Sequence, residues 1–226
     1  MKIQTTTIKV KKTYVFAFFF FIIIAVTVFM LFNAFTEMTA GTPDPVEDYS
    51  DMSLIQLDAP AEDAVRVKIS TTAGDMTAVI YKDECPVAAD IFISAAENGN
   101  YNGIDAVRYE QGSVFTLDAP EIDGIYKAEL HKNLWPFKGA LCMNDSGDII
   151  FINTVSFTDE EKEYLSAEEG EMPEVRHAFY ENGGVPNYSG QYAVFGQVIE
   201  GMDVLEKIAA ADTGEEIKVT ETKLIG

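Results

Sequence analysis

Residues 192–212 read YAVFGQVIEGMDVLEKIAAAD, and this stretch decides the fold. Its first part, 192–200, is a short apolar run rich in Val, Phe and Ile, which is typical of a buried strand. From Gly201 onward the period changes, and Val204, Leu205 and Ile208 recur at the spacing of one helix face. The stretch therefore predicts a strand that leads directly into an amphipathic helix.

A hairpin opens the part of the chain that we expect to fold. In VRVKIST, residues 65–71, Val65, Val67 and Ile69 share one face, which predicts a half-buried strand. TAGD then supplies a turn, and MTAVIY continues as a second strand.

The next segment, CPVAADIFISAAENG at 85–99, has helical spacing. Pro86 suits a first helical turn, and Val87, Ile91 and Ala95 are expected on the apolar side, with Phe92 and Ala96 beside them. Asn98-Gly99 is a plausible helix end.

Three further runs predict strands, and one charged segment interrupts them. The strands are GALCMN, IIFINT and IKVTETKLI, at 139–144, 149–154 and 217–225. Between strands, residues 157–184 are predicted to form a helical insertion, because Thr158 and Glu161 make a capping-box pair and Pro173 suits a second helix start. The order of elements predicts a mainly β fold, a barrel or sandwich with two helices.

The N-terminal region predicts a membrane anchor. Residues 14–32 are almost continuously apolar, and a transmembrane helix is expected over 14–35. A cleaved secretory signal is the alternative, but its apolar region is usually shorter and ends at small residues. We expect a cytoplasmic basic segment at 1–13, an acidic linker at 36–63 and an extracytoplasmic folded domain at 64–226. The predicted location is the cell membrane, with a single pass.

Charge and composition exclude several functions. Residues 36–226 hold 12 Lys and Arg against 37 Asp and Glu, so binding of nucleic acid is not expected. His131 and His177 are isolated, and no ligand cluster indicates a metal or another cofactor. Cys85 and Cys142 are predicted to be unpaired thiols, although export would permit a disulfide.

Taken together, residues 65–226 resemble the cyclophilins, a family of peptidyl-prolyl isomerases. YAVFGQVIEGMDVLEKIAAADT is similar to the family's C-terminal part. The segment from Thr71 to Gly103 is similar to the family's first hairpin and helix, and GALCMN is similar to its central strand. The resemblance implies a closed antiparallel β-barrel capped by two α-helices.

The resemblance also implies an active site without metal or cofactor. In DAVRYEQG, Arg108 takes the place of the family's catalytic arginine, and Gly112 matches a family glycine. Ala106 and Val107 replace a Phe-His pair, and the glycine-rich loop is shortened to DSGD, so the active site is divergent. The substrate-binding positions implied are Val114, Thr116, Phe151, Tyr188 and Tyr192.

These features predict a membrane-anchored isomerase that assists the folding of exported proteins and acts on proline-containing peptides. One alternative is a cyclophilin-like module that binds proline-containing or extended peptides with little or no catalysis. Another is a structural element of an envelope complex. For Arg108, the alternatives are a catalytic hydrogen-bond donor and an ordinary strand arginine paired with a carboxylate.

Overall fold

A computed structural model describes residues 49, 51–109, 112–119, 127–212 and 214–225. Most of these residues belong to strands or helices. The strands are β1 (Arg66–Thr71), β2 (Gly74–Ile80), β3 (Ala106–Tyr109), β4 (Val114–Leu117), β5 (Ala140–Met143), β6 (Ile149–Ile152), β7 (Ala193–Glu200) and β8 (Val219–Ile225). The α-helices are α1 (Pro86–Glu97), α2 (Asp159–Ser166), α3 (Pro173–Asn182) and α4 (Met202–Ala210), with 3-10 turns at Ile55–Leu57 and Pro186–Tyr188.

The strands form one antiparallel sheet that curls on itself. Their order is β3-β4-β6-β5-β7-β2-β1-β8. The two edge strands are joined near their beginnings, where Asp105 and Lys218 form a bridge and the amide of Ala106 donates to the carbonyl of Ile217 at 2.8 Å. The predicted mainly β, antiparallel fold with helices is confirmed as a sheet curled into a half-barrel, and full closure of the barrel stays an implication of the resemblance.

The first hairpin and the C-terminal strand–helix unit agree with the sequence. Val67 and Ile69 of β1 are fully buried, and β1 pairs with β2 so that only Thr72 and Ala73 form the turn. Leu205 and Ile208 of α4 are fully buried as well. The main core is built from buried residues of the sheet together with the buried faces of α1 and α4.

Helix α1 buries a face that is shifted from the predicted one: Phe92, Ala95 and Ala96 are buried as expected, whereas Val87 is not. Pro86 is in the first turn as expected, but Val87 is 50% exposed. The buried face instead consists of Ala88, Ala89, Phe92, Ala95 and Ala96. Both sets have helical spacing, and the second one brings Phe92 against Tyr101 and Phe195, with ring centroids 5.5 and 5.3 Å apart. Burying the large aromatic ring of Phe92 stabilises the fold more than burying the smaller side chain of Val87 would.

The charged segment contains the two predicted helices, α2 and α3. Thr158 caps α2, since its hydroxyl accepts from the amide of Glu161 at 3.2 Å and its own amide donates to the Glu161 carboxylate at 2.8 Å. These hydrogen bonds hold the pKa of Glu161 below its usual value. The capping box read from the sequence is confirmed.

Ordered structure begins before residue 64, the predicted domain boundary. Gln56 is buried, donates to the side-chain oxygen of Gln197 at 3.0 Å, and accepts from the amide of Trp135 at 2.5 Å. The predicted linker, 36–63, therefore includes residues that belong to the folded unit. Composition did not indicate this, because a single amide side chain with satisfied hydrogen bonds adds almost nothing to hydrophobic periodicity.

The predicted anchor at 14–35 lies outside the described residues. Within the described part of the chain, no helix combines the length and the apolar character that crossing a bilayer requires.

Candidate functional site

Arg108 lies on β3, the edge strand of the sheet. Its Nη2 donates to the carbonyl oxygens of Asp212 and Glu215, at 2.8 and 2.7 Å, and its Nη1 donates to the carbonyl of Ala106 at 3.4 Å. The side chain therefore ties the edge strand to the loop that follows α4. It does not form the carboxylate pair that the ordinary-arginine alternative anticipated, among the described residues.

Gly112, two residues before β4, lies against the last turn of α4. Gly112 has a φ of +87°, and a Cβ built on it would meet the carbonyl oxygen of Ala209 at 2.5 Å. Any other residue would suffer from both the backbone conformation and the lack of space. Gly112, which the resemblance singled out, thus allows the chain just before β4 to approach α4 closely.

A cavity of about 230 Å³ opens beside Arg108 and is lined by residues 105–108 and 215–217. Its apolar lining comes from Ala106 and Ile217, which are buried, and from Val107, which is partly exposed. Its polar lining comes from Arg108 and from three exposed carboxylates, those of Asp105, Glu215 and Glu216.

The guanidinium keeps hydrogen-bonding capacity for a ligand. Nη2 is occupied by two short bonds, whereas Nη1 makes only the 3.4 Å contact with Ala106. Nε is buried and has no partner in the part of the chain that the structure describes. Because a guanidinium carries several N–H groups and stays charged, Nη1 is the atom able to donate to a molecule in the cavity.

Phe151 is on the same sheet face as Arg108 but lies in the core. Arg108 pairs with Phe115 of β4, and Phe115 pairs with Phe151 of β6, so the three side chains project to one face. The two phenyl rings stack, with centroids 4.6 Å apart, and both are buried. Phe151 does not line the Arg108 cavity.

Val114 and Thr116 project to the opposite face. Thr116 pairs with Val107, the neighbour of Arg108, and successive side chains of a strand alternate between faces. Val114 is buried, and Thr116 is partly exposed. The structure thus does not bring these two residues together with Arg108.

Tyr188 and Tyr192 form an aromatic pair elsewhere. Their rings meet edge to face at a centroid distance of 4.9 Å, and both side chains are partly buried against the core. Neither lines the Arg108 cavity. For the five predicted substrate-binding residues, contact with a substrate stays a prediction from the resemblance.

Sequence reasoning missed the second wall of the cavity, Glu215, Glu216 and Ile217. These residues are more than 100 positions away from Arg108 in sequence, and they reach it only because β8 begins beside β3. No local pattern marks them, apart from Ile217 as the first apolar residue of the last predicted strand.

A second and larger cavity, about 440 Å³, lies away from Arg108. Residues 55, 58–61, 63–65 and 79–84 line it. It contains Tyr81, whose pKa is raised by burial and by the nearby carboxylates of Glu84 and Asp58.

The two cysteines are free thiols, as predicted, and both are buried. Burial, with the nearby carboxylates of Glu129 and Glu84, raises the pKa of Cys85 to about 12. Burial raises the pKa of Cys142 as well. Among the described residues, no group of three or more His, Cys, Asp or Glu side chains is arranged to hold a metal ion.

Comparison with known families gives one match that spans most of the described chain. Residues 66–225 match the family described as cyclophilin type peptidyl-prolyl cis-trans isomerase. A protein of Staphylococcus saprophyticus, provisionally named a peptidyl-prolyl cis-trans isomerase, is 29% identical over 168 residues, which cover 68% of this chain and 85% of that protein.

Two further similarities bear on domain organisation and fold. A Streptococcus pyogenes protein, provisionally named a bifunctional phosphatase/peptidyl-prolyl cis-trans isomerase, is 30% identical over 77% of this chain, but this chain spans only 40% of its length. The crystal structure of a cyclophilin type isomerase from Cryptosporidium parvum matches with a TM-score of 0.54 and 15% identity, over 72% of this chain and 98% of that one. A second structure of that protein, in the presence of the dipeptide Ala-Pro, has the same TM-score.

Proposed function

The chain belongs to the cyclophilin-type peptidyl-prolyl cis-trans isomerases, and from this premise we propose that it isomerises Xaa-Pro bonds in the cavity beside Arg108. Arg108 is the hydrogen-bond donor of the proposed reaction. The observation that carries this proposal is that Arg108, the residue in the position of the family's catalytic arginine, lines a cavity with an apolar lining.

The proposed chemistry needs only a cation and an apolar surface. Resonance gives the C–N bond partial double-bond character, so rotation faces a barrier of roughly 18–20 kcal/mol. As the bond twists, the lone pair returns to the proline nitrogen and becomes a hydrogen-bond acceptor. An N–H of Nη1 that donates to this nitrogen stabilises the twisted state more than the planar one, which lowers the barrier.

The apolar lining supplies orientation. Ala106, Val107 and Ile217 offer a surface on which a proline ring can rest while the chain on one side of the bond rotates. Arg108 is itself held in place by the carbonyls of Asp212 and Glu215, so its charge is positioned before a substrate arrives. Pre-positioned donors of this kind are the most effective, because they need no reorganisation during the reaction.

A second function, peptide binding without turnover, has its own support. Both short hydrogen bonds of Arg108 are made to backbone carbonyls of the protein itself. Val114 and Phe151 lie in the core rather than along a groove. A site built in this way could hold a proline-containing segment and leave its isomerisation rate unchanged.

We also propose that the isomerase acts outside the cytoplasm on exported proteins, held to the cell membrane by residues 14–35. The long apolar run and the lysines that precede it support this arrangement. Unaided Xaa-Pro isomerisation takes about tens to hundreds of seconds, so a tethered catalyst would speed this step in newly exported chains.

Exchange spectroscopy on a short Ala-Pro peptide tests the proposal. The full chain in detergent micelles is added in catalytic amount, and cis–trans exchange of the peptide is followed by NMR. We expect acceleration by the wild-type chain and a loss of about 100-fold or more in Arg108→Ala, the effect of removing one transition-state donor.

Arg66→Ala is the matched control. Arg66 also donates to three backbone carbonyls, those of Ala61, Glu62 and Ala64, but it does not line the Arg108 cavity. It should therefore lose stability while retaining exchange activity. Equal loss of activity in both variants would assign Arg108 a structural role only. Peptide shift changes without accelerated exchange would establish the binding function instead.

A further inference from the structure

The cavity beside Arg108 has an acidic wall that the proposed reaction does not use. Glu215 and Glu216 form one side, and Asp105 lies across from them at the start of β3. The hydrogen bond from the amide of Ala106 to the carbonyl of Ile217, 2.8 Å long, holds the two sides together. The backbone of the three acidic residues is therefore fixed close to Arg108.

The charges of this wall are only partly compensated. Lys218 contacts Asp105 at 3.4 Å and Glu216 at 3.7 Å, and these long, half-exposed ion pairs are weak. Glu215 makes no ion pair among the residues that the structure describes. Arg108 adds one positive charge to the lining but directs its Nη2 to backbone carbonyls and forms no ion pair with any of the three carboxylates, which outnumber Arg108 and Lys218 by one. The rim of the cavity is thus net negative.

Because the cavity is small, its acidic rim lies beside the residue that neighbours the proline of a bound peptide. A space of about 230 Å³ is too small for more than a short part of a peptide, so residues next to a bound proline lie at or near its opening. Consecutive residues of an extended chain advance by about 3.3–3.6 Å. A side chain adjacent to the proline therefore comes within reach of the carboxylates of Glu215 and Glu216.

We propose that Glu215 and Glu216, with Asp105, make the isomerase selective for Xaa-Pro bonds flanked by lysine or arginine. This inference rests on the proposed isomerisation at the Arg108 cavity and names its substrate class. A cationic side chain next to the proline gains Coulomb attraction from the wall, whereas an acidic side chain is repelled. Because the carboxylates are exposed, the gain is modest and falls with ionic strength.

Three peptides that differ only in the residue before proline, Lys, Ala or Glu, test the selectivity. The full chain in detergent micelles is used at low ionic strength, and kcat/KM is taken from NMR exchange. We expect the order Lys, Ala, Glu, with steps of about two- to five-fold, and a smaller spread at high salt.

The paired variant Glu215→Gln with Glu216→Gln should reduce the ratio of the Lys rate to the Glu rate, and this ratio, taken within each variant, is independent of any change in that variant's overall rate. The matched control is Glu160→Gln with Glu163→Gln, which removes two exposed carboxylates from α2, away from the cavity. This control removes the same number of negative charges from the protein, and we expect it to retain the preference for the Lys peptide over the Glu peptide. Loss of the preference in both variants would show that overall charge is responsible, and would overturn the inference.

The outcomes separate this inference from the proposed function. Equal acceleration of all three peptides would overturn the selectivity and leave the isomerase intact. If no peptide is accelerated, the proposed function fails. Binding of the same peptides, monitored through changes in the NMR shifts of the peptide, then tests whether the acidic wall selects the Lys peptide. Stronger binding of the Lys peptide that depends on Glu215 and Glu216 would support the acidic wall, and equal binding would overturn it.

Discussion

At the scale of single residues, the three arginines share one role. Arg66, Arg108 and Arg176 each donate to three backbone carbonyls. None of them forms an ion pair with a carboxylate in the described part of the chain, although acidic residues are abundant. A planar guanidinium with several donors can satisfy several loop carbonyls at once, which a lysine cannot do.

Arg176 gives the sharpest test of this role. It is almost completely buried, its Nε donates to the carbonyl of Glu171 at 2.9 Å and its Nη2 to that of Glu169 at 2.8 Å, and its guanidinium lies over the Tyr164 ring. Arg176→Ala should destabilise the α2–α3 hairpin by about 2–3 kcal/mol, because hydrogen bonds to a charged donor are lost in a buried place. Hydrogen exchange of the amides of α2 and α3 measures the effect.

Lys162→Ala is the control for Arg176. Lys162 is exposed on α2 and contacts Asp159 at 3.7 Å, a surface pair whose removal costs well under about 1 kcal/mol. Amide protection that falls equally in the two variants would contradict the role assigned to the buried guanidinium.

At the scale of elements, a distant carboxylate caps helix α1. The side chain of Cys85, the N-cap residue, accepts no hydrogen bond from the amides of the first helical turn. Instead, one carboxylate oxygen of Glu129 accepts from the amides of Val87 and Ala88 at 2.8 and 2.9 Å. The thiol of Cys85 in turn donates to the carbonyl of Glu129 at 3.2 Å. The carboxylate satisfies amides that have no partner within the helix and complements the positive end of its dipole.

Removal of this cap should lower the free energy of unfolding. We expect Glu129→Ala to cost about 1–2 kcal/mol, measured by urea unfolding, and Glu129→Gln to cost less because an acceptor oxygen remains. Glu97→Ala is the control at the other end of the same helix, where a negative charge opposes the dipole, so this change should be neutral or slightly stabilising. Equal losses for Glu129→Ala and Glu97→Ala would rule out capping.

At the scale of the whole molecule, the buried thiols couple stability to alkaline pH. The unfolded thiols titrate near pH 9.0, and burial raises the pKa of Cys85 to about 12 and that of Cys142 also upward. Below pH 9.0 both states keep these protons, so the thiols cause no pH dependence. Above it the unfolded state releases protons that the folded state retains, so stability falls as pH rises.

Urea unfolding from about pH 8 to about pH 10.5 measures this dependence. We expect the free energy of unfolding to fall by about 1 kcal/mol per pH unit for each thiol once the pH exceeds that of the unfolded group. Cys142→Ala should be less stable at every pH, since it leaves a cavity, but its slope above pH 9.0 should be shallower. A slope that is unchanged in this variant would contradict the assignment to the thiols.

Local structure was largely predictable from the sequence. Periodicity identified the buried face of β1 through Val67 and Ile69, and that of α4 through Leu205 and Ile208. The capping box at Thr158 located the start of α2. For α1 the sequence identified Phe92, Ala95 and Ala96 but grouped the exposed Val87 with them, because residues 87, 91 and 95 and residues 88, 92 and 95 have similar spacing. Packing of Phe92 against Tyr101 and Phe195 selects between the two faces.

For the candidate site, the sequence located the arginine but not its surroundings. The resemblance singled out Arg108 and Gly112, and the structure explains the glycine through its approach to Ala209. It did not indicate that the carbonyls of Asp212 and Glu215 hold the guanidinium, since backbone acceptors are present at every residue and leave no trace in sequence.

Periodic patterns and short motifs in the sequence were enough to identify the class of fold, six of the eight described strands, the four described α-helices and the family resemblance, but not β3 and β4. Only the tertiary structure decided which side chains share the face and the cavity of Arg108. The pairing of Arg108 with Phe115 and of Val107 with Thr116 places Thr116 on the opposite face, and a shift by one residue would exchange the two faces. Likewise, Glu215 and Glu216 reach the cavity because β8 begins beside β3. Backbone pairing of this kind depends on the packing of the whole sheet, which no local stretch of sequence specifies.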